Sequence, residues 1–153
     1  MRVKVGFTGS RYGCTVAAQA ALERLLRDLA PPELHHGDCI GADELAASIA
    51  MRLGARLIAH PPLNPKYRGQ AAKLPGTEVR PAADYLDRNE HIVNETDVLV
   101  GCPIMPEQRR SGTWSAIRYA RQQRKPRFVI YGDGSIVFEQ PNGKTSKYVP
   151  LAA

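Results

Sequence analysis

A doubly wound α/β arrangement is what the sequence predicts: a mainly parallel sheet of about five strands with helices on both faces, followed by a C-terminal β-hairpin. Three observations carry it. Apolar runs suited to strands (VKVGF, ELHH, ARLIAH, DVLVG and RFVIY) alternate with stretches of helical periodicity. Consecutive runs lie too far apart for tight hairpins, so the strands must pair in parallel through right-handed crossovers over the sheet face. Small or polar residues stand where strands end and helices begin, at Thr8 to Arg11, Gly37 to Asp43, Arg88-Asn89 and Ser111 to Thr113.

The first strand, within Val3 to Gly9, breaks at Thr8-Gly9-Ser10-Arg11. Thr15 then caps a helix in which Leu22, Leu25, Leu26 and Leu29 share one face, and Pro31-Pro32 stops it. Glu33 to His36 is the second strand. After the turn Gly37 to Asp43, a second helix is marked by Leu45, Ala46, Ile49, Ala50 and Leu53, with Asp43 and Glu44 favoured in its first turn and Gly54 as its stop. Ala55 to His60 reads as the third strand. Residues 61–83 lose periodicity, as in a functional flap or a stretch of short elements that carry no pattern. A helix follows over Asp84 to Glu95, then a buried strand at Asp97 to Gly101 and a loop to Arg110. Ser111-Gly112-Thr113 opens a helix over Trp114 to Arg124, and Arg127 to Tyr131 is the fifth parallel strand. The remaining segments, Ser135 to Glu139 and Ser146 to Val149, flank Asn142-Gly143, a hairpin signal. The reading is therefore a single domain over residues 1–153, with a core of 1–131 and an appended hairpin in 132–153.

Bulk composition agrees. The 153 residues are 43% hydrophobic and 24% charged, as in a globular domain, and no apolar run approaches a membrane span. No signal-peptide pattern opens the chain, so the cytoplasm is the expected location. Three widely spaced cysteines without a CxxC pattern read as free thiols. A net charge of +6 favours anionic partners.

The junctions describe one crevice suited to a phosphate-bearing molecule. Gly9 permits close backbone approach, Ser10 offers a hydroxyl, Arg11 a fork for phosphate, and the helix behind them an N-terminal dipole. Gly37, Asp38, Gly41, Ala42 and Asp43 repeat the arrangement after the second strand, with Asp43 either a helix-start carboxylate or an acceptor for ribose or base. Arg88 and Asn89 share a helix face with Tyr85 and Ile92; an inward guanidinium needs a partner, either an acid such as Asp43 or Asp84 or a bound phosphate. Ser111, Gly112 and Thr113 offer amides and hydroxyls at another helix start, or a simple cap. His35, His36, Asp38, Cys39 and His60 are metal-ligand types, but a strand sends His35 and His36 to opposite faces, so no metal and no cofactor is expected. Between Gln108 and Arg127 lie seven basic residues and no acid; such a run is a solvated face by default, or a track for nucleic acid.

FTGSR, HGDCIGADELA, YLDRNEHIV, DVLVG and SGTWSAIRYARQQRKPRFVIY together resemble, in order and spacing, the SLOG superfamily of Rossmann-like nucleotide-binding proteins. Its members include the LOG phosphoribohydrolases, the DNA-processing protein A family and molybdenum-cofactor carriers. The resemblance covers roughly Met1 to Tyr131. It implies binding or sensing of a nucleotide or nucleotide-derived ligand, with contacts from Thr8, Gly9, Ser10, Arg11, Gly37, Asp38, Gly41, Ala42, Asp43, Arg88, Asn89, Ser111, Gly112 and Thr113, in a protein resembling dimeric relatives. Its alternatives are an N-glycosidase acting on nucleoside 5'-monophosphates, with Arg88 as a catalytic residue beside a substitute carboxylate, Asp43 or else Asp38 or Glu107, and a module binding single-stranded DNA. LOG enzymes use a Glu three residues after the Thr of a PGGxGTxxE motif. Here Ala116 stands at that position and the Pro-Gly-Gly is missing.

Overall fold

The computed structural model describes residues 2–152. Its strands are β1 (Val5–Gly9), β2 (Glu33–His36), β3 (Arg56–Ala59), β4 (Glu78–Val79), β5 (Val98–Cys102), β6 (Arg127–Ile130), β7 (Ile136–Glu139) and β8 (Thr145–Tyr148). Its helices are α1 (Val16–Leu29), α2 (Ala42–Arg52), α3 (Tyr85–Asn94) and α4 (Gly112–Gln122). All eight strands form one sheet, ordered β4-β3-β2-β1-β5-β6-β7-β8. The first six run parallel, β7 runs antiparallel to β6, and β8 antiparallel to β7. This is the mixed α/β, Rossmann-like architecture expected.

Alternation along the central strands divides the core in two. Val5 and Phe7 of β1, with Val98 and Val100 opposite them on β5, pack with the leucine stripe of α1 (Leu22, Leu25, Leu26) and the small stripe of α2 (Ala46, Ile49, Ala50). Leu99 and Val129 point the other way, onto Ile92 and Val93 of α3 and Trp114, Ile117 and Ala120 of α4. The helices thus bury most of the faces their periodicity marked, Leu53 and Tyr85 alone of those named staying exposed, and the burial of these side chains is the main force joining sheet and helices. Helix starts are also as the sequence suggests: Thr15 accepts the Ala18 amide, Asp84 that of Asp87, and Ser111 that of Trp114.

Two expectations change. Residues 61–83 contain a sixth parallel strand, the two-residue β4, and 3-10 turns at Pro65–Tyr67 and Ala71–Lys73. A two-residue strand is too short to show a period of two. The C-terminal hairpin forms as expected but is not an appendage, because β7 pairs along β6 with Arg127 opposite Glu139. Arg127 is buried, and its Nε donates to Glu139 at 2.6 Å; Arg121 from α4 forks onto the same carboxylate at 3.0 and 3.1 Å. These guanidinium groups hold the Glu139 carboxyl below its ordinary range although burial pushes the other way. Asp28 of α1 fastens the chain end, accepting from the Tyr148 hydroxyl and the Leu151 and Ala152 amides. Among the described residues no helix is long and apolar enough to cross a membrane.

Candidate functional site

Sheet order reverses between β1 and β5, from which the chain winds outward in opposite directions, and crevices open beyond the strand ends at such a point. Here the last residues of the two strands, Gly9 and Cys102, are paired, and above them lies a cleft of about 1020 Å³. Thr8, Gly9, Ser10, Arg11, Gly37, Asp43, Arg88, Asn89, Ser111, Gly112 and Thr113 all border it. Four junctions far apart in sequence therefore meet on one wall.

Asp38, Gly41 and Ala42 do not line the cleft. Asp38, in the left-handed region at φ 51°, turns away and accepts from Arg68 Nε at 2.8 Å and from the Ala72 amide at 3.2 Å. Ala42 is buried in the core, and its amide is taken by the Ser10 carbonyl at 2.9 Å. Gly41, at φ 93°, lies against the backbone of Ser10 and Arg11, and its amide donates to Glu44 Oε1. These residues brace one turn against the other. At the α2 start the Ala42 amide is thereby taken, and the Glu44 amide turns back to the Gly41 carbonyl.

The α1 N-terminus is not at the cleft either. The helix begins at Val16, beyond a bend in which the Ser10 amide reaches Cys102 O, the Ser10 carbonyl accepts from Gly13 and Ser10 Oγ accepts from Tyr12. The helix terminus that does face the cleft is that of α4. Ser111 Oγ takes the Trp114 amide and Ser111 O that of Ser115, leaving Gly112 and Thr113 with the unpaired first-turn amides. Asn89 Nδ2 reaches Gly112 O at 3.5 Å, and Trp114 Nε1 pins the preceding loop through Met105 O at 2.9 Å.

Arg88 is 8% exposed. Its Nη1 donates to Gly37 O at 2.5 Å and reaches His60 O and Cys39 Sγ at 3.4 Å; its Nε has no partner. Neither Asp43 nor Asp84 comes within ion-pair distance. Among the described residues, Arg11, Arg88, Arg109 and Arg110 all border the cleft and none is ion-paired. By contrast Arg118, Arg121 and Arg127 are matched by Glu107 and Glu139 from outside the basic run.

The Asp43 carboxyl is buried and accepts the Cys39 amide at 3.2 Å. Burial pushes it up to about 7, against the pull of that amide and of the Arg88 charge. A carboxyl whose folded-state pKa exceeds its unfolded value stabilises the fold in acid and loses that contribution as pH rises through the folded value. Buried His36 and His60, pushed down to about 4 and about 3, act in the opposite sense, so the comparison must isolate Asp43. Asp43→Asn is expected to gain about 2–3 kcal/mol on the wild type between about pH 5 and pH 8. Urea unfolding at both pH values measures it, and a pH-independent difference refutes the assignment.

Sequence reasoning missed the rim. Tyr12, Leu63, Tyr67, Tyr85, Ile104 and Met105 border the cleft with substantial exposure, and Arg11 lies 5.2 Å from the ring centres of both Tyr12 and Tyr67. The available signal was Tyr12 and Tyr67, aromatic residues in otherwise Gly- and Pro-rich stretches. The structure also brings His35 beside His60, with Glu95 close enough that the three offer ligand atoms within 4.8 Å of one another. His35 Nδ1 and His60 Nε2 are 3.0 Å apart with ring centres at 5.2 Å, so the contact runs along the line of centres, as in a hydrogen bond between rings. His35 Nε2 continues it to Glu33 at 3.1 Å. These residues do not line the cleft.

No protein-family model matches the sequence, and no curated protein matches it. Solved structures do. The molybdenum cofactor binding protein of Rippkaea orientalis aligns at a TM-score of 0.63 and 21% identity, over 86% of this chain and 77% of that one. The structural-genomics target TM1055 aligns at 0.59 and 21%, over 83% and 72%. DNA processing protein A of Streptococcus pneumoniae aligns at 0.65 and 19%, over 84% of this chain, which spans about half of that protein's length, 50%. With its strand order and the switch-point cleft, this likeness shows that the chain shares the Rossmann-like fold of these structures.

Proposed function

We propose that the cleft binds a nucleotide or nucleotide-derived small molecule, its phosphate held by Arg88, Arg11 and the α4 N-terminus and its base resting on the aromatic rim. The observation that carries this reading is Arg88, a buried guanidinium with an unpartnered Nε and no carboxylate within ion-pair distance. An anion entering the cleft supplies the missing partner. The similar structures include a cofactor-binding protein and a DNA-processing protein, which fits small-molecule and nucleic-acid ligands alike. The salt-bridged state of Arg118, Arg121 and Arg127 removes much of the basic track and favours the small molecule. A homodimer, a cytoplasmic location and a single domain with its core in residues 1–131 belong to the same proposal.

Titration calorimetry against nucleoside 5'-mono- and diphosphates, the matching nucleosides, inorganic phosphate and a single-stranded oligonucleotide tests it. Saturable binding of nucleotides is expected, at least about tenfold tighter than of nucleosides, since a charged hydrogen-bond acceptor contributes about 1.5–3 kcal/mol. Equal affinity for nucleoside and nucleotide, or none for either, refutes the reading.

One observation favours a second reading, an N-glycosidase releasing free base from nucleoside 5'-monophosphates. Asp43 borders the cleft and exchanges its proton near neutrality, as a general acid or base must. Arg88 there holds the phosphate, and Asp43 stands in for the carboxylate that Ala116 lacks. Chromatography after long incubation at high enzyme concentration is expected to show free base; its absence refutes this reading alone.

A further inference from the structure

Two of the three cysteines, separate in sequence, meet beside the candidate site. Cys14 sits in the connection between β1 and α1, just before the Thr15 cap, and Cys102 is the last residue of β5. Their sulfur atoms are 3.2 Å apart across 88 positions of chain. Cys102 is buried at 2% exposure, and Cys14 is partly open to solvent. Cys39, the third, is directed elsewhere, between Gly37 O and Arg88.

The geometry points to Cys14 and Cys102 as a reversible dithiol–disulfide pair whose oxidant is a hydroperoxide. A disulfide needs its sulfurs about 2.0 Å apart, so they must close by about 1 Å. Gly13 precedes Cys14 at φ 91° with no atom within 4 Å of its Cβ position, so the loop has room to move there. Cys102 is held on a central strand. The closing displacement therefore falls on Cys14.

The same asymmetry orders the chemistry. The hydrogen bond from Cys102 lowers the Cys14 thiol, and the arrangement raises that of Cys102, so Cys14 loses its proton first. The partly open Cys14 thiolate attacks the peroxide, breaking the O–O bond and becoming a sulfenic acid while hydroxide leaves and is protonated. Cys102 then loses its proton and attacks the Cys14 sulfur, forming the S–S bond as the sulfenic oxygen leaves as water. Two thiols and one hydrogen peroxide yield one disulfide and two waters. An external dithiol reverses it. Because Gly9 pairs with Cys102 and the Ser10 amide reaches Cys102 O, the bridge ties the turn carrying Arg11 directly to β5.

The full-length reduced protein is treated with hydrogen peroxide, then alkylated and analysed by intact mass and peptide mapping. Expected is a monomer lighter by two hydrogens with one alkylated thiol, Cys39, and a linked peptide pair containing Cys14 and Cys102, all reversed by dithiothreitol. Cys39→Ser should form the same bridge, and Cys102→Ala should instead leave Cys14 as a sulfenic or higher oxide. Should Cys102→Ala fail to fold, Cys39→Ser carries the test. Alkylation of both Cys14 and Cys102 after peroxide overturns the proposal, as does a bridge involving Cys39 or a second chain.

Discussion

Arg88→Ala is expected to lower nucleotide affinity by roughly 10- to 100-fold, because it removes a charge-assisted contact of about 1.5–3 kcal/mol. The same change should leave the thermal midpoint level with the wild type or above it. The two outcomes have one cause. In the unliganded protein Arg88 is a nearly buried cation with no carboxylate in ion-pair contact, so its desolvation costs stability that a bound anion recovers. The carbonyl it releases on Gly37 borders the cleft, where water can replace the guanidinium. Arg88→Lys should recover part of the affinity and not all, since an ammonium is a point charge where the guanidinium is a planar fork. Calorimetry and thermal unfolding on the same samples separate the possibilities. Were Arg88 a structural residue, alanine would leave affinity unchanged and lower stability by about 3–5 kcal/mol, the cost of breaking a buried polar network.

The architecture was legible wherever an element buries one face. Leu22, Leu25 and Leu26 announce α1, and Val98 to Val100 announce a strand covered on both sides. β4 was not legible, because two residues carry no pattern and its pairing with β3 is decided by the chain around it. Nor was the merging of the hairpin with the main sheet, which rests on the match of Arg127 to Glu139 across β6 and β7. The site shows the same division. Junction residues that end strands could be found from glycine and hydroxyl side chains. Which helix terminus faces the cleft could not, since that depends on the bend between Gly9 and Val16 that carries α1 away. The basic run from Arg109 to Arg127 looked uncompensated because its acids, Glu107 and Glu139, lie outside it. His60 meets His35 only because β2 and β3 are in register. Contacts made across strands leave no trace in local spacing.

Gly41→Ala is expected to cost about 2–5 kcal/mol of stability, lowering the thermal midpoint by roughly 5–15 °C and removing nucleotide binding with it. The reason is position and not contact with a ligand. At φ 93° an L side chain is strained, and a Cβ there would lie 2.5 Å from the Arg11 carbonyl carbon and 2.7 Å from Ser10 O. Backbone atoms cannot rotate out of the way as a side chain can, so the turn that presents Arg11 must shift. The Ala42 amide bond to Ser10 O would shift with it. Gly143→Ala separates the two contributions, because Gly143 has φ 89° and nothing within 4 Å of its Cβ position. It should lose only the conformational part, about 1–2 kcal/mol. Thermal unfolding followed by circular dichroism compares them. If the two alanine variants melt together, the turns at Ser10 and Gly41 are not braced against each other and the cleft wall is not built as described. If Gly41→Ala melts far lower while Arg88→Ala melts with the wild type, one residue builds the cavity and the other serves what enters it.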